Sequence, residues 1–148
     1  MDTLLDTPGL GTYALCTSIL AIKLFLSSVY TGVQRQRSHS YANPEDAASF
    51  GQEGDRAGDG EAPAVAHALR IQRNDAENLP AFFAVGLVYV LTGASATGVA
   101  IYMWTFTIAR IVHTIAYAAH LQPWRALAYL TAALCVVGMS VSTILRVL

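Results

Sequence analysis

The feature that most constrains this chain is the stretch from Asn78 to Ala109, which contains no Asp, Glu, Lys or Arg. A run of roughly 18 or more apolar residues with few charges is typical of a bilayer-spanning helix. This stretch is too long for one crossing, because a helix rises about 1.5 Å per residue and the hydrocarbon layer is about 30 Å thick. We therefore expect a turn inside it, and the clustered Gly, Ser and Thr residues from Thr92 to Gly98 are typical of one.

Two further apolar runs are long enough to cross a membrane. The first extends from about Gly9 to Val33 with Lys23 as its single charge, and the last from about Ala126 to Leu145, after a break at Gln122-Pro123-Trp124. The chain is only 13% charged, against about a quarter in a typical soluble domain, which indicates a lipid environment. We predict an all-α integral membrane four-helix bundle, a single domain over residues 1–148, with spans at about 9–35, 63–92, 97–120 and 123–147.

The basic residues between the predicted spans indicate the orientation. Those between spans one and two, or at their edges, are Arg35, Arg37, Arg56, Arg70 and Arg73. Arg125 lies between spans three and four, and the loop between spans two and three has no basic residue. By the positive-inside rule the first and third loops face the cytoplasm and both termini lie on the other side. The membrane is expected to be a bacterial inner membrane or the endoplasmic reticulum.

The first cytoplasmic loop, at about residues 38–62, is rich in Gly, Asp and Glu and is predicted to be solvated. Inside it, Asn43-Pro44-Glu45-Asp46 is typical of a turn or a helix start, since Pro restricts the backbone and Asn or Asp caps a helix.

Two polar stripes follow helical spacing on the predicted spans. On span two the stripe comprises Arg70, Arg73, Asn74 and Glu77, and on span three it comprises Arg110, His113 and Tyr117. Ionisable groups at membrane depth cost at least about 2.5 to 3.5 kcal/mol each, so they usually face a bundle interior and mark a functional site. The alternative for span two is structural: Arg70 and Arg73 snorkel to the interface and pair with Glu77 or Asp75.

Cations outnumber carboxylates at the predicted cytoplasmic face. Lys23, Arg35, Arg37 and Arg125 add to the arginines of the stripes, whereas the acidic residues there are Asp46, Asp75 and Glu77. Guanidinium groups bind carboxylates bidentately, while Glu77 and Asn74 suit an ammonium or amide group. The set therefore predicts a small zwitterionic ligand with several carboxylates.

Other site classes find less support in the sequence. His39, His67 and His120 are scattered and no Cys/His cluster exists, so no metal is expected. No serine is placed near His113 as a hydrolase would require, and no basic patch outside the membrane-associated cluster suggests nucleic acid.

Three motifs carry a resemblance to a known family. They are Tyr41-Ala42-Asn43-Pro44-Glu45-Asp46-Ala47, then Leu69-Arg70 with Arg73-Asn74-Asp75 and Glu77, then Ala109-Arg110 with His113-Thr114 and Ala116-Tyr117. Over nearly the whole chain the sequence resembles the MAPEG family, the membrane-associated proteins in eicosanoid and glutathione metabolism. The resemblance implies a homotrimer of four-helix bundles, with glutathione bound between neighbouring subunits near the cytoplasmic face.

The resemblance also implies site residues. Together with the stripes, it predicts glutathione contacts from Lys23, Arg35, Arg70, Arg73, Asn74, Glu77, Arg110, His113, Tyr117, Arg125 and Tyr129. We expect Arg125 to stabilise the thiolate, with Tyr129 or Tyr117 as hydrogen-bond donor and Asp46 as a proton-handling partner. The implied activity is glutathione transfer to a lipophilic electrophile, or glutathione-dependent isomerisation or peroxide reduction.

The sequence departs from the family pattern at three places. Ala66-His67 stands where the family usually has Glu-Arg, and Ala126 stands where the prostaglandin-synthesising branch has a serine. Between Tyr117 and Arg125 the chain is one residue shorter. Two alternatives to an enzyme are a non-catalytic lipid-binding scaffold of the same family and a small transporter that uses Arg110 and His113.

Overall fold

The computed structural model describes residues 6–52, 55, 57 and 60–148 of the chain. Its regular elements are helices: α1 Leu10–Arg37, α2 Pro44–Phe50, α3 Pro63–Leu91, α4 Ala96–Ala118 and α5 Gln122–Val147. Across the described ranges there is no strand, only an isolated bridge between Tyr41 and Ala57. The predicted all-α class is confirmed.

Three of the helices, α1, α4 and α5, are long and apolar enough to cross a membrane. They coincide with the predicted first, third and fourth spans. The 29 residues of α3 also exceed the thickness of the hydrocarbon layer, but its first half carries Arg70, Arg73, Asp75 and Glu77. A membrane crossing by α3, and with it the four-span bundle, stays a prediction.

The outward surfaces of these helices fit a lipid surrounding. Large apolar side chains such as Phe25 on α1, Ile108 on α4 and Leu134 on α5 are more than half exposed. Soluble monomers rarely expose apolar patches of this extent. The chain is therefore an integral membrane protein.

Helix starts follow the proline signals in the sequence. Asn43 is the N-cap of α2 and Pro44 lies at its start, where proline's missing N–H has no helical partner to lose, so the helix-start interpretation of this motif is confirmed. Pro123 occupies the same kind of position in α5, which begins at Gln122, within the predicted break. In the uncharged stretch the chain leaves α3 at Leu91 and enters α4 at Ala96, where the Ser95 hydroxyl accepts a hydrogen bond from the Gly98 N–H at 3.2 Å.

A tight turn joins α4 to α5. The Leu121 N–H donates to the Ala116 carbonyl at 2.8 Å and the His120 N–H donates to the Tyr117 carbonyl at 3.1 Å. His120 has the left-handed φ of 57° that this type of helix end requires, a conformation usually filled by glycine. The turn reverses the chain within a few residues, so α5 starts beside the end of α4.

The structure divides into two compact units, each with its own core. The first comprises the described residues up to Lys23 together with Glu77–Leu148, and the second is Leu24–Ala76. In the first, Phe82 of α3 and Phe106 of α4 stack with ring centres 3.9 Å apart. In the second, the buried apolar side chains are Tyr41, Ala47, Val65, Ala68 and Ile71.

Candidate functional site

Four predicted site residues of the first unit come together where α4 ends and α5 begins. We call His113, Tyr117, Arg125 and Tyr129 the Arg125 cluster. The Cζ atom of Arg125 lies 4.5 Å from the centre of the Tyr117 ring. The centre of the His113 ring lies 5.7 Å from that of Tyr117 and 6.3 Å from that of Tyr129.

Helical spacing and the turn at His120 explain this convergence. His113 and Tyr117 are four residues apart on α4, and Arg125 and Tyr129 are four residues apart on α5, so each pair lies on one helix face. Because the turn reverses the chain, the faces meet and Arg125 packs on the ring of Tyr117. The one-residue shortening between Tyr117 and Arg125 still allows this contact.

The electrostatics of the Arg125 cluster favour a negative group. Arg125 lies in the first turn of α5, where exposed N–H groups give the helix end a partial positive charge. Leu121, the N-cap, offers no side-chain acceptor to those N–H groups. A cation at this end disfavours the helix by about 0.3 to 1 kcal/mol, which is offset by a similar gain from stacking on Tyr117. Helix stability therefore does not explain Arg125, whereas attraction for an anion does.

Arg110 lies deeper on α4 than the cluster. Its side chain is 0% exposed and that of His113 is 3% exposed, so both face the interior as the span-three stripe predicted. Removing an ion from water costs several kcal/mol even after the protein relaxes, so a buried guanidinium persists only with partners around it. Arg110 is thus built into the packing of the first unit.

The second unit holds two more predicted site residues, Arg35 and Asp46, in one cavity. The cavity measures about 320 Å³ and is lined by Gly32, Arg35, Gln36, Tyr41, Asp46 and Phe50. The Arg35 Nη2 atom is 3.5 Å from Glu61 Oε1, and that carboxylate is half exposed. Asn43 donates a hydrogen bond from Nδ2 to Asp46 Oδ2 at 3.1 Å. A cation and a carboxylate therefore share one partly enclosed space.

Sequence reasoning missed part of this cavity. Tyr41 is 6% exposed, and its hydroxyl donates to the Phe50 carbonyl at 2.9 Å, which ties the loop to the end of α2. Tyr41 was quoted as part of a motif but not as a site residue, and Gly32, Gln36 and Phe50 were not proposed. Gly32 precedes Arg35 by three residues and Gln36 by four, and this helical spacing is the signal that places them around one space at the end of α1.

The α3 stripe has the opposite burial from the α4 stripe. Arg70, Arg73 and Glu77 are exposed and Asn74 is half-buried. In the single chain this stripe therefore does not face the interior, and its predicted contacts with a ligand stay a prediction. The inward face of α3 carries Ile71, Asp75 and Leu79, and the buried Asp75 carboxylate accepts a hydrogen bond from the Ser27 hydroxyl at 3.2 Å.

Of the structural alternative for the stripe, snorkelling to the interface stays a prediction, and the expected ion pairs are not seen. Within the part of the chain that the structure describes, neither Arg70 nor Arg73 forms an ion pair with Asp75 or Glu77. Lys23, the last predicted contact, is half-buried on α1 in the first unit. A group of three metal-binding side chains is absent from residues 6–52, 55, 57 and 60–148.

A hydrogen-bonded link stabilises the loop after α1. The Gln52 N–H donates to Asp55 Oδ2 at 2.8 Å and His39 Nδ1 lies 2.9 Å from the same oxygen. The Gln52 bond, with a smaller contribution from His39, holds the pKa of Asp55 below its usual range. Asp55 therefore stays ionised where it anchors the loop.

Comparison with known proteins was made by family model and by sequence. The model described as the MAPEG family matches residues 13–145. Prostaglandin E synthase of Homo sapiens is 33% identical over 137 residues, covering 92% of this chain and 88% of that protein. The protein of the same name from Equus caballus is 35% identical over the same shares. Microsomal glutathione S-transferase 1 of Rattus norvegicus is 42% identical over 116 residues, covering 76% of this chain and 74% of that protein.

Proposed function

The chain belongs to the MAPEG family, and from this premise we propose that it is a glutathione-dependent membrane enzyme that transfers glutathione to lipophilic electrophiles. The family resemblance expected from the sequence is confirmed. The similar proteins bear the names of two glutathione-related enzymes, an E-type prostaglandin synthase and a glutathione S-transferase. The similar proteins are therefore enzymes, which supports an enzyme over the scaffold alternative.

The observation that carries the proposal is the Arg125 cluster. A free thiol has a pKa of about 8.5, so most of it is protonated at neutral pH. Lowering that pKa by about two units requires about 2.7 kcal/mol of differential stabilisation of the thiolate. The Arg125 guanidinium lies over Tyr117 at the uncapped start of α5. Its full positive charge and the partial positive charge of the helix N-terminus therefore act at the same place.

The remaining charges fit the other parts of glutathione. Its two carboxylates suit the exposed guanidinium groups of Arg70 and Arg73, and its ammonium group suits Glu77. These side chains face outward from the single chain, where a second copy is able to cover them. The exposed α3 stripe thus supports a homotrimer with glutathione bound between subunits near the cytoplasmic face.

Glutathione supplies the nucleophilic thiol in this reaction. We propose that Arg125 stabilises the sulfur after its proton leaves to water. The hydroxyl of Tyr129, on a side chain 44% exposed, or that of Tyr117 would donate a hydrogen bond to it. The sulfur forms a bond to the electrophilic carbon, and the leaving group departs with the electrons of its own bond. The arginines that hold the carboxylates contribute by orienting the sulfur. Asp46, in its cavity with Arg35, is proposed to handle protons.

Ala126 favours transfer over isomerisation. It follows Arg125 directly, and its methyl group has no hydroxyl with which to assist a thiol, unlike the serine of the prostaglandin-synthesising branch. A transferase needs only a stabilised thiolate and a lipophilic electrophile. Isomerisation and peroxide reduction are the secondary activities to be assayed beside it.

The test compares the purified full chain with its Arg125→Ala variant, using glutathione and chlorodinitrobenzene. We expect kcat/KM to fall about 100-fold, the ratio that corresponds to a loss of about 2.7 kcal/mol of thiolate stabilisation. The ultraviolet absorbance of bound thiolate should disappear in parallel. Arg125→Lys, which keeps a charge but not the planar fork, should retain an intermediate rate.

Calorimetry with glutathione separates the competing interpretations. The scaffold alternative predicts no tight glutathione binding, so binding would remove it. Full activity of Arg125→Ala would refute the role of Arg125. Anion or proton flux in proteoliposomes would favour the transporter alternative.

A further inference from the structure

In the second unit, α1 and α3 are joined by hydrogen bonds between polar side chains. The Ser27 hydroxyl donates to Asp75 Oδ2 at 3.2 Å, and the Thr31 hydroxyl donates to Gln72 Oε1 at 3.2 Å. Gln72 also donates from Nε2 to Ser28 Oγ at 2.9 Å. We call these five side chains the α1–α3 ladder. They are distinct from the glutathione contacts that the sequence predicted.

The α1–α3 ladder, rather than apolar packing, joins the two helices in this unit. From Leu24 to Arg37, a range that the structure describes throughout, the buried side chains are Ser27 and Thr31, each 6% exposed. Large apolar side chains of the same segment, such as Phe25 and Val29, are more than half exposed. In lipid, an apolar side chain gains little from facing another helix, so hydrogen bonds between polar side chains provide the specific attraction between helices.

The pairing in the α1–α3 ladder fixes how far one helix is shifted along the other. Ser27 pairs with Asp75, and one turn further along α1 Thr31 pairs with Gln72, which lies one turn earlier on α3. Residues three or four apart share a helix face, so both contacts are made at one antiparallel register. A shift by one turn, about 5.4 Å, would break both contacts.

The same hydrogen bonds fix the rotation of α3 about its axis. Gln72 and Asp75 lie on the side of α3 that contacts α1. Arg70 is two residues before Gln72, and Arg73 is two residues before Asp75. Two residues correspond to about 200° of rotation, so each arginine points almost directly away from α1. The exposure of both arginines agrees with this arrangement.

From this arrangement we propose that Gln72 is a positioning residue for glutathione binding, an inference that rests on the proposed function. Its hydrogen bonds to α1 hold α3 in the rotation and register at which Arg70 and Arg73 bind the carboxylates of the tripeptide. A guanidinium binds a carboxylate through two parallel hydrogen bonds, and this geometry tolerates little misplacement. Arg35 follows Thr31 by four residues on α1, so the same register sets its position along α3.

The experiment compares the full chain with its Gln72→Met variant, whose side chain has a similar length but no amide. Calorimetry measures the affinity for glutathione and for its diethyl ester, in which both carboxylates are blocked. We expect Gln72→Met to bind glutathione about 10-fold more weakly and the ester as the wild type does, because only free carboxylates engage the arginines.

Tyr13→Phe is the matched control for this comparison. It removes another hydrogen bond between α1 and α3, from the Tyr13 hydroxyl to the Phe83 carbonyl at 2.8 Å, but in the first unit. It should leave both affinities unchanged. Equal glutathione affinity of Gln72→Met and the wild type, or an equal loss of affinity for the ester, would overturn the inference.

A double variant separates positioning from a purely structural role. Gln72→Met with Thr31→Val replaces both partners of one hydrogen bond by apolar groups of similar shape, which should restore stability lost in the single variant. Unfolding in detergent, followed by circular dichroism, measures that stability. Glutathione affinity should stay low, because the directional contact is still missing, and recovery of affinity together with stability would overturn the inference. Absence of glutathione binding by the wild type would overturn the proposed function, and this inference with it.

Discussion

The polar stripes of α3 and α4 follow the same helical spacing and have opposite burial. On α4, Arg110 is 0% exposed and belongs to the packing of its unit. On α3, Arg70 and Arg73 are exposed, and the side chain that α3 does bury is the acidic Asp75. Two patterns that look alike in the sequence therefore carry different physical roles.

The difference in burial shows whether a charged stripe contributes to the stability of the fold or to ligand binding. A buried arginine holds its surroundings together and is costly to remove, because its partners are left without compensation. An exposed arginine contributes little to folding and keeps its hydrogen-bonding capacity for a ligand or a second subunit. Arg110 of the α4 stripe should therefore govern stability, and the α3 stripe should govern glutathione affinity.

The largest expected effect is on folding. Arg110→Ala should destabilise the chain by about 2 to 5 kcal/mol, because it removes a large, fully buried side chain and leaves a cavity. Arg73→Ala should change stability by no more than about 0.5 kcal/mol, as is usual for exposed positions. Unfolding in detergent, followed by circular dichroism, measures both. Equal losses in the two variants would remove the distinction between the stripes.

The next effect is on glutathione affinity. Arg73→Ala should weaken binding by about 10- to 150-fold, the range that corresponds to about 1.5 to 3 kcal/mol for a hydrogen bond to a charged group. Calorimetry on the detergent-purified protein provides the measurement. Arg37→Ala removes an exposed arginine outside the predicted contacts and should bind glutathione as the wild type does.

Co-expression sharpens the same prediction. If the α3 stripe of one subunit completes the Arg125 cluster of its neighbour, chains carrying Arg73→Ala and chains carrying Arg125→Ala should together recover part of the activity that each lacks. No recovery in mixed oligomers would place both arginines in the site of a single subunit.

The smallest expected effect concerns Asp55 in the loop after α1, a charged residue that is neither buried nor part of a stripe. Hydrogen bonding holds the pKa of Asp55 below its usual value of 3.8, so the stabilisation is present above that pH and is lost as the pH falls through the lower, folded value. The stability difference between the wild type and Asp55→Asn should be constant near neutral pH and shrink below about pH 4. A difference that grows on acidification would contradict this assignment.

Much of the fold was accessible from the sequence. Apolar run length located α1, α4 and α5. Pro44 and Pro123 marked the starts of α2 and α5, because proline is favoured in the first turn of a helix. Spacing also grouped His113 with Tyr117 and Arg125 with Tyr129, since neighbours along a helix face are set by its period.

Other parts of the site could not be predicted in this way. Helical spacing shows that Arg70 and Arg73 share a face but not whether that face is inside, because Ile71, Asp75 and Leu79 define an equally regular stripe on the other side. The cavity that contains Arg35 and Asp46 could not be predicted either. It depends on the hydrogen bond from Tyr41 to the Phe50 carbonyl, which closes a loop, and loop residues have no periodic hydrophobic pattern.

The sequence by itself determined that this chain enters a membrane as helices and that it bears charges where a lipid-facing protein has little reason to keep them. That much follows from transfer free energies and helical period, which depend on residue type and order alone. Only the tertiary structure decided which charges are buried, that Arg125 packs on Tyr117, and that Arg146 packs on Tyr89. Those outcomes depend on which helix faces pack together and on how the turns orient the helices. Packing depends on both helices of a pair, so it cannot be predicted from the sequence of one helix alone.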